Sequence, residues 1–96
     1  MASRNLYRIS TENLNKPGIE SIVSKHFDGF SVIEQTGYWK GVKENSLVIE
    51  IQGDDAVSGV SPEEARKIEE ICFGIKDLNH QESVLLQVVP SVVYFI

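Results

Sequence analysis

Cysteine occurs once in this 96-residue chain, as do tryptophan and methionine, and proline occurs three times. A single thiol, Cys72, excludes an internal disulfide and agrees with a reducing compartment. No apolar run reaches the roughly eighteen residues of a membrane helix. The opening stretch MASRNLYRIS also lacks the continuous apolar segment of a signal peptide, so the chain is expected in the cytoplasm with no membrane partner. Basic residues are scarce as well, nine against fourteen acidic for a net charge of -5. They are scattered from Arg4 to Lys76 and form no run, so the chain repels phosphate backbones and nucleic acid is not an expected partner. No internal repeat or low-complexity stretch is present.

What is there is ordinary globular material, 42% hydrophobic and 24% charged, enough for one domain over 1–96. A domain this short buries only about 60 to 65% of the surface its unfolded chain exposes, which makes self-association a natural further source of stability.

Residues 6–11, LYRIST, alternate Tyr7 and Ile9 against Arg8 and Ser10, the two-residue period of a first strand. Ile19, Ile22, Val23, His26 and Phe27 share one face of a helix that Pro17 starts and Asp28–Gly29 stop. FSVIEQTGYWK, residues 30–40, reads as a second strand, with Gly37 as a bulge candidate. SLVIEIQ, 46–52, reads as a third strand, which leaves GVKEN between them as the hairpin loop. GDDAVSGV, 53–60, is a flexible acidic connection. Ser61, Pro62 and Glu64 then give a cap, a first helical position and a side chain that returns a hydrogen bond to the cap. Ala65, Ile68, Ile71, Cys72, Ile75 and Leu78 form the buried face of the helix that follows.

The last segment, SVLLQVVPSVVYFI, is too apolar for a strand with one wet face, and Pro90 divides it into a fourth strand, 84–89, and a short fifth, 92–96. Exposed, it would invite aggregation, so a neighbouring subunit is expected to cover it. The order predicts an α+β fold, a ferredoxin-like βαββαβ sandwich of one antiparallel sheet with two helices on one face and the first and third strands central.

At YWKGVKENSLVIEI, 38–51, and again at NHQESVLLQVVP, the chain resembles the CutA proteins of the wider PII-like group. The stretch FDGFSVIEQTGYWK is also similar to a family of small bacterial proteins of unknown function. The CutA resemblance implies a homotrimer packed through sheet edges, with ligand sites in clefts between subunits near the hairpins. CutA proteins carry a cysteine in the strand after the first helix, a suggested metal ligand. HFDGFSVIEQ has none, and GVKEN is too short for the long nucleotide-sensing loop of PII proteins.

The candidate chemistry is sparse. Tyr38 and Trp39 point to opposite sides of their strand, so at most one fills the core, and the other is free for a ligand or a partner. Lys40 and Lys43 supply charge for an anionic ligand. His80 and Glu82, just beyond the second helix, are residue types that do acid–base work, against the blander reading that they end a helix and meet solvent. His26 reads as a packed helix residue and Cys72 as a small core residue. Asp54 and Asp55 lack calcium-loop spacing, and no zinc signature or glycine-rich phosphate loop appears, so neither metal nor cofactor is expected.

The leading expectation is a non-enzymatic, oligomeric, small-ligand-binding or regulatory protein. Its anionic ligand, such as a nucleotide, would sit beside Tyr38, Trp39, Lys40, Lys43, His80 and Glu82. One alternative is a small cofactor-free enzyme using His80 and Glu82 as an acid–base pair. Another is a small acidic inhibitor of a protein partner, from a mobile element or virus.

Overall fold

A computed structural model of the chain describes residues 2–55 and 59–96. Four strands, β1 (Ala2–Glu12), β2 (Ser31–Trp39), β3 (Val42–Asp55) and β4 (Leu85–Val93), alternate with two helices, α1 (Lys16–Ser24) and α2 (Pro62–Asn79), in the order βαββαβ. The sheet is antiparallel throughout, in the order β2-β3-β1-β4, so the first and third strands are central and the ferredoxin-like arrangement holds.

The alternation read in β1 has a direct physical outcome. Tyr7 and Ile9 point to the helix side, where they meet Leu47, Ile49 and Ile51 of β3, Ile19 and Val23 of α1, and Ile68, Ile71 and Ile75 of α2. Each such side chain contributes about 1.5–3 kcal/mol on full burial, so this one-sided layer accounts for most of the favourable term in folding. Both helices start at local caps. Asn15 Oδ1 accepts from Gly18 N at 3.0 Å, and Ser61 Oγ accepts from Glu64 N at 3.2 Å, each with a proline in the first turn.

Several boundaries differ from expectation. α1 ends at Ser24, with the N–H groups of His26 and Phe27 both turning back to Val23 O, and His26 Nε2 lies 3.4 Å from Glu70 on α2. The buried stripe of α2 is Glu64, Ile68, Ile71, Ile75 and Asn79, so it is rotated from the expected stripe and has a polar residue near each end. Cys72 is only half-buried and Leu78 is exposed.

The loop between β2 and β3 is not GVKEN. Trp39 pairs with Val42, leaving a two-residue turn at Lys40 and Gly41, and 42–45 belong to β3. Both turn residues have positive φ, 51° and 79°, the type I′ geometry whose twist suits a hairpin. Gly37 is no bulge, because it takes a regular place opposite Glu44. The register shift lies in the β1–β3 ladder between Arg4 and Leu6, where β3 carries an extra residue near Gly53.

Pro90 does not divide the last strand. β4 runs through it opposite Asn5, which an edge strand permits because the missing N–H faces away from the ladder. The expected separate fifth strand is therefore the end of β4, and 94–96 lie outside it. Of the expected connection 53–60, residues 53–55 belong to β3 and 56–58 lie outside the described residues. Among the described residues, no helix is long and apolar enough to cross a membrane.

Candidate functional site

The β2–β3 hairpin is longer than the sheet that carries it. β1 ends at Glu12, opposite Ser46, yet four more rungs of β2–β3 pairing follow, from Thr36–Asn45 to Trp39–Val42. At about 3.3 Å per residue the tip overhangs the sheet by roughly 13 Å. Alternation puts Tyr38 with Lys43 on the helix side and Trp39 with Val42 on the opposite side. Neither aromatic enters the core, since Tyr38 is 71% and Trp39 66% exposed. Lys40 Nζ stands 6.0 Å from the Trp39 ring centroid, at the outer reach of a cation–π contact. At the base of the hairpin, Asn13, Glu34, Gln35, Thr36, Asn45 and Ser46 line an open polar groove of about 320 Å³.

His80 and Glu82 are at the same end of the domain. That end of α2 is fixed to the end of β1, because Asn79 Nδ2 donates to Thr11 Oγ1 and to Glu12 O at 3.2 Å, and Gln81 Oε1 accepts from Asn79 and Thr11 at 2.5 Å. His80 closes the helix with φ 55°, and its N–H donates to Asp77 O. Both His80 and Glu82 are exposed, and among the described residues no hydrogen bond or ion pair joins them to each other or to the hairpin. Within one chain, therefore, Lys40 meets Trp39 and Lys43 faces Tyr38, while His80 and Glu82 stand apart from both.

One backbone feature links the two groups. Among the described residues, only Lys40 and His80 have positive φ without being glycine. Left-handed geometry costs most L-residues about 1 kcal/mol or more, and asparagine or glycine would avoid much of that. Keeping lysine and histidine at these two positions is the kind of local strain that collects at functional sites.

The opposite end of the domain holds a cluster with little signal in the sequence. Glu64, expected to return a bond to its helix cap, instead points inward. Its Oε1 accepts from Tyr7 Oη at 2.5 Å and its Oε2 accepts from Asp54 N at 2.8 Å, with both Tyr7 and Glu64 buried. Burial, then the hydrogen bond to Glu64 and that carboxylate's charge, hold the Tyr7 phenol well above its usual range. Gly53 makes this approach possible, because a Cβ there would come within 2.8 Å of Tyr7 Cε2 and 2.9 Å of Glu64 Cδ. Beside the cluster, Ser3, Arg4, Asn5, Gly59, Pro90, Ser91 and Val92 line an open groove of about 340 Å³. Burial, with Glu69 nearby, pushes the Cys72 thiol up to about 11, which leaves it a poor nucleophile. The Tyr7–Glu64 pair left no local signal in the sequence, where Gly53 reads as the start of the connection after β3 and Glu64 as part of a helix cap.

No family model and no curated protein matches the chain. Solved structures do match in fold. A nitrogen regulatory PII-like protein, CPII from Thiomonas intermedia K12, solved bound to ADP, AMP and bicarbonate, superposes with a TM-score of 0.63 at 11% identity, over 98% of this chain and 97% of that one. A phage SAM lyase superposes in complex with S-methyl-5′-thioadenosine (TM-score 0.60, 20% identity, 97% of this chain and 92% of that one). In its apo state the phage SAM lyase gives a TM-score of 0.59 at 23% identity, over 98% and 93%. At these identities the likeness shows the fold, a PII-like ferredoxin-like sandwich.

Proposed function

We propose that the chain is a non-enzymatic, homo-oligomeric protein that binds or senses a small anionic ligand of the adenine-nucleotide class. The ligand would sit in a cleft between copies, beside the hairpin tip. The observation that carries this reading is the tip itself, an overhanging hairpin with two uncovered aromatic rings and two lysines, one of which, Lys40, is held in left-handed geometry. A purine ring stacked on Trp39 or Tyr38 gains about 1–3 kcal/mol. Lys40 and Lys43 meet the phosphates, and His80 and Glu82, from the adjoining end of α2, contact the sugar or a neighbouring tip. Support comes from the two kinds of fold neighbour, which hold ADP and AMP in one case and S-methyl-5′-thioadenosine in the other. A trimer is the assembly that the resemblance implies, and the cytoplasm is the compartment that the free Cys72 suits.

Trp39 is the chain's one tryptophan, so its fluorescence reports the tip directly. Titration with ADP, AMP or S-methyl-5′-thioadenosine is expected to quench or shift it, with Lys43→Ala weakening binding tenfold or more. Native mass spectrometry should show an oligomer that retains the same ligand. A monomer whose emission ignores all three compounds at millimolar concentration would remove the reading.

A second reading, a small cofactor-free enzyme, is favoured by the lyase structures, whose 20 and 23% identity exceeds that of the PII-like protein. Incubation with SAM followed by chromatography for S-methyl-5′-thioadenosine distinguishes the two. Turnover abolished by His80→Ala and again by Glu82→Gln would support the His80–Glu82 acid–base pair.

A further inference from the structure

The chain has three arginines, and two of them meet carboxylates. Arg8 Nε lies 3.0 Å from Glu50 and Arg66 Nη1 2.8 Å from Glu70. Among the described residues, Arg4 meets none. Its Nη1 donates to Gly53 O at 3.2 Å, and its guanidinium carbon lies 5.3 Å from the Phe95 ring centroid. Its Nε is shut off from water and has no hydrogen-bond partner. A guanidinium carries Nε–H and Nη2–H side by side, and that edge grips a carboxylate with two parallel bonds. In Arg4 the nitrogen tied to the backbone is Nη1, on the other side, so the gripping edge is intact. A buried charged donor without a partner is costly, and an anion on this edge removes the cost.

Arg4 lines the open groove of about 340 Å³ together with Ser3, Asn5, Pro90, Ser91 and Val92. That volume is within the range of small-molecule sites. Two bonds fix its walls. Asn5 is buried and its Nδ2 donates to Gly59 O at 3.3 Å, while Ser91 Oγ donates to Arg4 O at 3.1 Å. Pro90 and Val92 give the groove an apolar side. The lining therefore suits a molecule with one planar anionic group and a short apolar body. Charge narrows the choice further. Glu64 Oε2 accepts from Asp54 N, next to the Gly53 carbonyl that holds Arg4, so two carboxylate side chains stand close by. They oppose a doubly charged phosphate more strongly than a singly charged carboxylate.

We propose that this groove is a binding site for a small monocarboxylate, held through two bonds by Arg4 Nε and Nη2 with its apolar end against Pro90 and Val92. The site lies roughly 26 Å along β1 from Glu12, the end that adjoins the hairpin. It is separate from the nucleotide site proposed above and does not rest on it.

The test follows the Arg4 Nε–H resonance of the isotope-labelled full chain during titration with sodium butyrate. A saturable shift is expected with butyrate. Acetate should bind at least threefold more weakly because it leaves Pro90 and Val92 uncovered, inorganic phosphate at least tenfold more weakly, and chloride without saturation. Arg4→Lys keeps the charge and loses the fork, so butyrate affinity read from the Ser3 and Ser91 amides should fall tenfold or more. Ser3→Phe obstructs the groove while leaving the Arg4 contacts in place, and should weaken butyrate by a similar factor even if Arg4→Lys does not fold. Trp39 fluorescence should not respond to butyrate. An Nε–H resonance that follows chloride as closely as butyrate, acetate or phosphate binding as tightly as butyrate, full affinity in Ser3→Phe or in folded Arg4→Lys, or a butyrate response at Trp39 would each overturn the assignment. None of these outcomes bears on the nucleotide reading, which is decided by ADP, AMP and S-methyl-5′-thioadenosine.

Discussion

Tyr7 and Glu64 close one end of the core with a hydrogen bond in a site that excludes water, where a lost partner is costly. Tyr7→Phe keeps the ring and leaves the carboxylate with one donor fewer, for an expected loss of about 1–3 kcal/mol. The pair also sets a pH limit. The folded phenol pKa lies above the unfolded value of 10.0, so its contribution is complete below pH 10 and is lost as pH rises from there through the folded value. Denaturant melts at pH 9 and pH 11 should show stability falling in the wild type and falling less in Tyr7→Phe. Gly53→Ala acts on the same cluster by overpacking. The new methyl meets Tyr7 and a Glu64 side chain fixed by two hydrogen bonds, at a cost of about 1–3 kcal/mol. In a domain of this size that is a fall in Tm of at least several degrees, and an unchanged Tm would mean that Glu64 can swing away.

At the scale of elements, the hairpin and the end of α2 each use the less favoured residue for their backbone geometry. Lys40→Asn would make an Asn-Gly turn, the preferred type I′ pair, and His80→Gly would relieve the left-handed helix end. Each is expected to raise stability by about 0.5–1 kcal/mol. If the strain serves ligand binding, both should also weaken nucleotide affinity, and a calorimetric titration beside a thermal melt measures the two effects together. A gain in stability without loss of binding would mark these positions as neutral. The strand and helix periods were legible in the sequence because β1 alternates and Ile68, Ile71 and Ile75 recur on one face. The hairpin turn was not, since Lys-Gly is a weak turn signal beside the polar run VKEN, which itself pairs as strand. The rotation of α2 was equally hidden, because Glu64 and Asn79 read as surface residues until β1 supplies Tyr7 and Thr11 as partners. Of the candidate site, the exposure of Tyr38 and Trp39 followed in part from alternation, whereas the overhang of the hairpin depends on where β1 ends.

For the molecule as a whole, two central strands and two helices share one core on one side of the sheet, and β4 remains outside the cover of the helices. A protein that completes its burial by self-association gains stability by mass action. If the proposed assembly forms, the Tm of this chain should rise by a few degrees when protein concentration is raised tenfold. Scanning calorimetry at two concentrations checks this, and coincident transitions would count against an obligate assembly.

The pairing of β4 with β1 also orders events during synthesis. About seventy residues separate Glu12 from Leu85, and at 5–20 residues per second the ribosome needs roughly four to fifteen seconds to deliver the partner that β1 awaits. Until then one side of β1 is an open edge inside a half-made sheet. The uncharged strand emerges only after β1, on which it docks, and the other elements of the sheet.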